Sequence, residues 1–328
     1  MKLKIIDVLI PTNEQWDNIW QDCEYATYFH SREWAELWNL YSKGLINPSP
    51  KLIMFNDNTR VLLPFSYKSS YHGLVKNYIS SLGGTYGGWI TTENLEQEHI
   101  KILVRYLNKK SGDLTWRVNP FDKSASLIML KKNKNDFTQA LDLDKNFDEI
   151  LKNLSKGHLS AVNKAKKSGV SVKVAFLLKD WECYFEVYKD SIQRWGDKVS
   201  SKYNWEFFYN IYKRESPNIK LWLAIYNQKI IAGALCFYSK KHVVYWHGAA
   251  FEKYFYLRPV NLLITEIIKH AGDNGYKWFD FNPSGGHKGV VKFKKSFGAE
   301  KLSSPIIENI SRKSKMLSWL SKLKNSTG

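Results

Sequence analysis

One order of secondary structure, three strands, a helix and a fourth strand, constrains the fold more than any other feature of the sequence. In the second half, alternating apolar residues predict strands at 220–226, 230–238 and 242–249. Pro259 then suits the first turn of a helix with one apolar face, and an aromatic strand follows at 276–281. The order predicts an α/β (α+β) protein with a mixed, mostly antiparallel sheet flanked by helices.

The first half of the chain shows the same order. Strands are predicted at 52–55, 59–67 and 74–80, followed by a helix at 95–108 and a strand at 113–118. Two such arrangements in one chain indicate a duplicated domain.

The closing strands of the two halves also end alike. Trp116-Arg-Val-Asn-Pro120 parallels Phe279-Asp-Phe-Asn-Pro283, although short strings can match by chance. We predict an N-terminal domain at 1–136, a C-terminal domain at 137–308 and a basic amphipathic tail at 309–328.

The charge balance is strongly basic. With 49 Lys and Arg against 31 Asp and Glu, the 328-residue chain has a formal charge of +18. Such an excess attracts nucleic acid, anionic lipid, or nucleotide and pyrophosphate substrates. It equally serves as a solubilising surface, so charge alone does not choose the partner.

Cysteine usage and hydropathy favour a reduced, cytoplasmic protein. Cys23, Cys183 and Cys236 form no C-x-x-C pair, so we expect neither a metal site nor a disulfide framework. No apolar run reaches 18 residues, and the first residues lack the apolar core of a signal peptide.

The segment 276–300 is the richest in candidate site residues. An aromatic strand ends in Asp280, and a glycine-rich loop follows that includes His287. If the next segment is extended, Lys292 and Lys294 share one face and Lys295 points away. A strand that ends at a loop beside fixed cations predicts a site for negative charge.

Two of these candidates have both a catalytic and a structural interpretation. Asp280 beside aromatic residues can hold a raised pKa and accept a proton, or it can cap the loop through backbone N–H groups. Lys294 can stabilise an oxyanion, or it can be one solvated lysine in a basic strip.

Three stretches resemble the FemAB-like branch of the GNAT acyltransferase superfamily. Phe29-His-Ser-Arg-Glu-Trp34 resembles the family's opening Q-S-x-x-W helix, and 154–170 resembles its basic helix. The most specific stretch runs from Leu257 to Ala299 and includes Phe293-Lys-Lys-Ser-Phe-Gly298, similar to the family's F-K-x-x-F-G signature.

The resemblance implies tandem GNAT-like domains that transfer an acyl or aminoacyl group onto an amine of a cell-envelope precursor, in peptidoglycan or a polysaccharide amino sugar. The donor is acyl-CoA or aminoacyl-tRNA, used as a co-substrate, and no cofactor is tightly bound. Lys294 matches the family's F-K lysine, which contributes to substrate binding and to stabilising the intermediate. His247 lies on the strand that parts from the closing strand in GNAT folds, near the reacting centre, unless it is a core histidine.

The remaining candidates would bind substrate. The resemblance suggests Arg194 for a substrate phosphate, and Arg258 begins a helix whose N–H groups favour anions. We add Tyr245, Phe293, Lys292 and His287, which flank the catalytic candidates.

The sequence also departs from the family. Trp38 stands where wall-bridge enzymes often carry a lysine, and no heptad run marks a coiled-coil arm. Arg258-Pro-Val-Asn-Leu-Leu263 lacks the glycines that wrap a CoA pyrophosphate. These departures weaken the case for a specific donor but leave acyl transfer untouched.

Two non-catalytic alternatives remain. A basic, aromatic-rich protein of this fold can bind RNA, tRNA included. Met316, Trp319, Leu320 and Leu323 share one face of the basic tail, which either docks on its own domain or lies on an anionic membrane at the inner face.

Overall fold

The computed structural model describes residues 2–109, 112–124, 134–144, 147–196 and 201–326. They divide into two compact units, one running up to Phe137 and resuming at Ser303, the other running from Thr138 to Leu302. The sequence prediction assigned 303–308 to the second domain and 309–328 to a separate tail. The structure corrects this assignment, because Ile306–Asn309 pairs with a strand of the first unit.

The helices and strands follow the chain in this order. Up to the second unit they are β1 (Ile5–Leu9), α1 (Asn13–Asp22), α2 (Arg32–Tyr41), β2 (Ile46–Pro48), β3 (Lys51–Phe55), β4 (Arg60–Leu63), β5 (Ser66–Ser70), β6 (Val75–Ile79), α3 (Gln97–Lys109) and β7 (Asp113–Arg117). From there they are β8 (Phe137–Asp142), α4 (Phe147–Asn153), α5 (Lys156–Lys167), β9 (Ser171–Val174), α6 (Leu178–Trp195), α7 (Trp205–Tyr212), β10 (Ile219–Tyr226), β11 (Lys229–Tyr238), β12 (His242–Ala250), α8 (Pro259–Asp273), β13 (Trp278–Asp280), α9 (Lys288–Lys295), β14 (Glu300–Ser303), β15 (Ile306–Asn309) and α10 (Arg312–Ser326).

The first unit contains two sheets. One has the order β1-β3-β4 and the other the order β15-β7-β6-β5-β2, in which β6 and β7 are parallel. The single strand predicted at 59–67 is two strands, because Pro64 has no N–H to continue the ladder and the chain enters the second sheet after it. Helix α3 packs Ile100, Leu103 and Leu107 into the core of this unit.

The second unit is built on one seven-stranded sheet, β14-β8-β13-β12-β11-β10-β9. The predicted order of three strands, a helix and a strand is present here as β10, β11, β12, α8 and β13. Strands β12 and β13 are parallel and pair only from His242 to Val244, whereas β12 continues to Ala250. β13 ends at Asp280, so β12 continues beyond Val244 without β13 as its neighbour.

Helix α8 packs one face of this sheet. Pro259 occupies its first turn, and its apolar stripe buries Leu263, Ile264, Ile267 and Ile268. Each such side chain contributes roughly 1.5–3 kcal/mol when it leaves water, so the stripe fixes the helix to the sheet.

The segment that follows the glycine loop differs from the prediction. Residues 288–295 form helix α9 rather than an extended segment. Neighbouring side chains therefore no longer alternate between two faces: Lys294 is buried, whereas Lys292 and Lys295 are both exposed.

Along the described chain, no helix has the length and apolarity needed to cross a bilayer. Within the same residues, no cluster of three or more His, Cys, Asp or Glu side chains could hold a metal ion.

Candidate functional site

Asp280 is the last residue of β13 and pairs with Val244 of β12. Its side chain is fully buried, and Oδ1 accepts hydrogen bonds from the Thr138 hydroxyl and from the Asn282 N–H at 3.0 Å. Asn282 has a left-handed backbone with a φ of 61°, which the Asp280 hydrogen bond stabilises. The carboxylate thus caps the loop, as one of the two sequence interpretations predicted.

Lys294 reaches the same loop from α9. It is 4% exposed, and its Nζ donates to the Asn282 carbonyl oxygen at 2.6 Å. Burial lowers the pKa of its ammonium to about 8, while the Asp280 carboxylate opposes the decrease. At neutral pH the group is therefore a buried cation held at the end of β13.

Two buried acceptors beside this pair have no hydrogen-bond donor among the described residues. Gln139 donates through Nε2 to the Val291 carbonyl on α9, which leaves its Oε1 unsatisfied. The Asn282 Oδ1 is likewise unpaired within the described part of the chain. Unsatisfied buried acceptors are uncommon, and an N–H or O–H group of a ligand is one way to satisfy them.

His247 lies on β12, beyond Val244, the last residue of that strand that pairs with β13. Its Nδ1 shares a hydrogen bond of 2.7 Å with the Tyr184 hydroxyl, and its ring packs 4.7 Å from the Tyr188 ring and 5.8 Å from the Phe208 ring. Burial lowers its pKa to about 4, so the ring is neutral near pH 7. His247 is three residues beyond the Asp280 pairing level, roughly 10 Å along the strand, so the two are not hydrogen-bond partners.

The predicted aromatic candidates serve the core beside the site. Tyr245 packs with its ring centroid 6.3 Å from that of Phe281, and Phe293 packs 5.1 Å from Phe297. A further stack joins Phe281 to Phe297 at 5.2 Å. These contacts fix α9, and with it Lys294, against the end of β13.

Arg258 lies at a second feature, a hollow of about 420 Å³ where the N-termini of α5 and α8 meet. Ser155 caps α5 there, and Arg258 precedes α8 with a left-handed φ of 57°. The lining residues are Ser155, Gly157, His158, Ser160, Ala161, Lys164, Arg258, Asn261 and Ser296. Two helix N-termini and two cations suit a phosphate.

A buried histidine supports this hollow. His158 contacts the Asn261 amide through Nδ1 at 2.9 Å and the Thr265 hydroxyl through Nε2 at 3.3 Å. Burial lowers its pKa to about 4, and its ring stacks 3.9 Å from Phe297. The hollow and the Lys294 helix are therefore connected, since Ser296 and Phe297 directly follow α9.

Arg194 is held by groups of its own unit. Its guanidinium donates to Asp190, to Ser191 and to the Ala250 carbonyl oxygen, and it stacks 4.9 Å from the Phe255 ring centroid. These contacts tie the end of α6 to the end of β12.

The other two candidates are exposed. His287 precedes α9, and Lys292 lies on its outer side. The structure thus brings Lys294 and Asp280 together and packs Phe293 and Tyr245 around them. It sets His247, Arg194 and Arg258 at separate positions in the same unit.

Sequence reasoning missed several residues of this site. Gln139 and Thr138 come from β8, whose pairing with β13 spans about 140 positions and leaves no local signal. His158 was inside the basic helix that resembles the family, but only its contact with Asn261 reveals its role.

A comparison with protein families finds a match within the second unit. Residues 155–295 match the acetyltransferase (GNAT) domain family. The matched residues cover most of that unit. The match includes β12, β13, Lys294 and every lining residue of the hollow before α8 except Ser296.

Solved structures extend the likeness to both units of the chain. A crystal structure of FemX is 14% identical with a TM-score of 0.72, and the match covers 96% of this chain and 99% of that one. The C-terminal domain of a putative lysylphosphatidylglycerol synthetase from Agrobacterium fabrum is 11% identical (TM-score 0.59, 95% of each chain). A tandem GNAT protein from the clavulanic acid pathway is 7% identical (TM-score 0.50, 94% of this chain and 98% of that one). No curated protein matches the sequence.

These likenesses confirm the predicted fold. The chain has a tandem GNAT arrangement with mixed sheets flanked by helices, and the resemblance to the FemAB-like branch is confirmed at the level of the fold. The family that the second unit matches is a family of acetyltransferases. The solved structures are at most 14% identical to this chain, so they show its fold and not its substrate.

Proposed function

We propose that the protein is an N-acyltransferase that moves an aminoacyl or acyl group onto an amine of a cell-envelope precursor. The observation that carries the proposal is the Lys294 ammonium, buried at the Asn282 carbonyl next to the end of β13 and its Asp280. A desolvated cation is suited to stabilise a developing oxyanion.

In the proposed reaction the free amine of the acceptor attacks the carbonyl carbon of the donor. A C–N bond forms, and the carbonyl electrons move onto oxygen, where Lys294 stabilises the negative charge. One strong contact of this kind lowers the barrier by roughly 3–4 kcal/mol. Collapse of the intermediate breaks the C–O bond of an aminoacyl ester or the C–S bond of a thioester, and the leaving oxygen or sulfur takes a proton.

The attacking nitrogen must also lose a proton. The Asp280 carboxylate acts on the pKa of Lys294, but its Oδ1 already accepts two hydrogen bonds. We assign it the positioning of the loop and of Lys294 first. Proton acceptance falls either to Asp280 or to a phosphate or carboxylate of the substrate itself.

The donor binds, in this proposal, with a phosphate in the hollow formed by Arg258, Lys164 and the N-termini of α5 and α8. Aminoacyl-tRNA and acyl-CoA share this phosphate chemistry, and neither is a resident cofactor. Both are cytoplasmic, so we place the reaction in the cytoplasm.

The acceptor class rests on the tandem fold. FemX and the lysylphosphatidylglycerol synthetase domain share that fold, and the name of the second states an aminoacylated membrane lipid as its product. The FemAB-like motifs of the sequence favour the same class of envelope amine. Three classes of acceptor amine should therefore be compared: peptidoglycan peptides, polysaccharide amino sugars and lipid headgroups.

The experiment is a mass-spectrometric transfer assay. Purified protein is incubated with an acyl-CoA set or with charged tRNAs, together with aminated acceptors of the three classes. Lys294→Met should reduce turnover at least ~10²-fold, and Lys295→Met, an exposed neighbour on α9, should not. Wild-type turnover in Lys294→Met would remove this lysine from the mechanism.

A second pair of variants tests the donor hollow. Arg258→Ala should raise the donor KM at least ~10-fold with little change in kcat, because the contact is made in the ground state as well as in the transition state. Lys269→Ala, exposed on the same helix α8, is the matched control. tRNA binding without transfer in any arm would favour an RNA-binding protein instead.

A further inference from the structure

Helix α10 presents a face that its own unit leaves uncovered. The helix begins where the Ser311 N–H donates to Asp113 Oδ1 at 2.8 Å and the Ser314 N–H donates to Ser311 Oγ at 3.2 Å. Ser314 is buried, whereas Leu317 and Ser318 are half-buried. The side centred on Ser314 therefore packs against the first unit.

The opposite side carries the large apolar residues. Met316 is 55% exposed, Trp319 60% and Leu320 42%. At about 100° per residue, these three lie roughly 140–240° around the helix from Ser314. The apolar stripe therefore points away from the unit that anchors the helix. The alternative that this segment docks its apolar face on its own domain is not what the structure has.

Basic residues flank the stripe on both sides. By the same helical spacing, Lys315 lies at roughly 100° and Lys313 at roughly 260° from Ser314, with Arg312 near the stripe itself. From residue 309 to 328 the sequence has five Lys and Arg and no Asp or Glu. Side chains are described as far as Ser321, so the argument uses only that part of the helix.

We propose that α10 is a docking surface for an anionic lipid membrane. An apolar stripe opposite the protein, bordered by cations and containing a tryptophan, matches the interface between headgroups and acyl chains. The stripe enters the lipid, and the flanking lysines contact the anionic headgroups. The interaction places the protein at a membrane surface without crossing it.

Charge and apolarity together select this partner. Nucleic acid would use the lysines but has no apolar phase for Met316 and Leu320. A second copy of the chain would bury the stripe, but it would bring two lysine-rich borders against each other. An anionic membrane satisfies both properties at once.

The test is flotation of the full chain with vesicles of phosphatidylcholine, with or without phosphatidylglycerol. We expect flotation only with phosphatidylglycerol. Trp319→Ser with Leu320→Ser, and separately Lys313→Glu with Lys315→Glu, should each reduce the bound fraction at least about tenfold. Phe176→Ser, which changes a side chain that is 80% exposed elsewhere, and Lys229→Glu are matched controls and should float normally.

Three outcomes would overturn the proposal. The first is no flotation with phosphatidylglycerol, and the second is normal flotation of the apolar double variant. The third is a wild-type dimer in sedimentation that the apolar double variant no longer forms. Urea unfolding of each variant checks that the unit stays folded. Transfer to a soluble amine should be unchanged in the apolar variant, so failure here leaves the proposed acyl transfer standing.

Discussion

The buried ammonium of Lys294 makes folding stability depend on pH in a predictable direction. Its pKa is about 8 in the folded protein and 10.5 for an ordinary lysine. Below pH 8 both states carry the proton, and the folded state bears the cost of a desolvated cation. Between pH 8 and 10.5 the unfolded chain still holds a proton that the folded protein has lost, so stability rises with pH.

The size of the effect follows from the same two values. One pKa unit corresponds to about 1.4 kcal/mol, so complete passage through this window stabilises the fold by about 3 kcal/mol. Lys294→Met keeps the length of the side chain and removes the charge. It also leaves the Asn282 carbonyl without its donor, which costs about 1–3 kcal/mol. At pH 7 the two effects oppose each other, and we expect the variant to lie within about 2 kcal/mol of the wild type.

The assay is urea unfolding of wild type and Lys294→Met from pH 6 to 10.5. Subtracting the two curves cancels groups that both proteins share, such as the buried tyrosines whose raised pKa values act in the opposite direction. Wild type should gain about 3 kcal/mol relative to the variant between pH 8 and 10.5. The same subtraction with Lys292→Met, which changes an exposed lysine, should show no such gain in stability of the wild type over the variant. A flat difference would show that the Lys294 ammonium is hydrated, and the oxyanion argument would lose its desolvated cation.

Three further predictions concern other buried groups. Gly233→Ala should lower the unfolding free energy in urea by about 1–3 kcal/mol, because the new Cβ would overlap the buried Tyr184 ring that holds His247. Fully buried His30 has a pKa lowered to about 4, so it should cost the fold up to about 3 kcal/mol as pH falls from 6.5 to 4. His30→Phe should remove that share of the slope in acid urea titrations and leave the shares of His158 and His247. Gln139→Leu should raise the acceptor KM if Oε1 accepts an N–H from the acceptor amine, and it should lower the unfolding free energy by about 1–3 kcal/mol because the Val291 carbonyl loses its donor; an unchanged KM would exclude that role.

The sequence predicted the second unit well because its signals are local. Alternation marks β10, β11 and β12, and Pro259 with an apolar stripe marks α8. The same local reasoning failed for α9. Val290, Phe293 and Phe297 have helical spacing, but Gly289 and the lysines among them made the pattern hard to recognise. The error mattered, because only a helix buries Lys294 and leaves Lys292 outside.

Features built from distant segments could not be predicted from one sequence. Strand β15 joins β7 across about 190 positions, and β8 supplies Thr138 to Asp280 across 142. Local propensity carries no information about such pairings. The pairing of β8 with β13 places Gln139, whose Oε1 is unsatisfied, and Thr138, whose hydroxyl donates to Asp280.

The two copies of the Asn-Pro strand end differ in how their polar groups are satisfied. In the first unit, Arg117 stands where the second has Asp280, and it pairs with Asp136. Asn119 uses its whole side chain within the fold, donating to the Tyr25 carbonyl at 2.9 Å and accepting the Phe121 N–H at 3.1 Å. Asn282 instead gives its backbone carbonyl to Lys294 and leaves Oδ1 unpaired within the described residues. The polar groups of the first strand end are satisfied within the fold, whereas the second keeps a buried cation close to an unpaired acceptor, the combination on which the proposed acyl transfer rests.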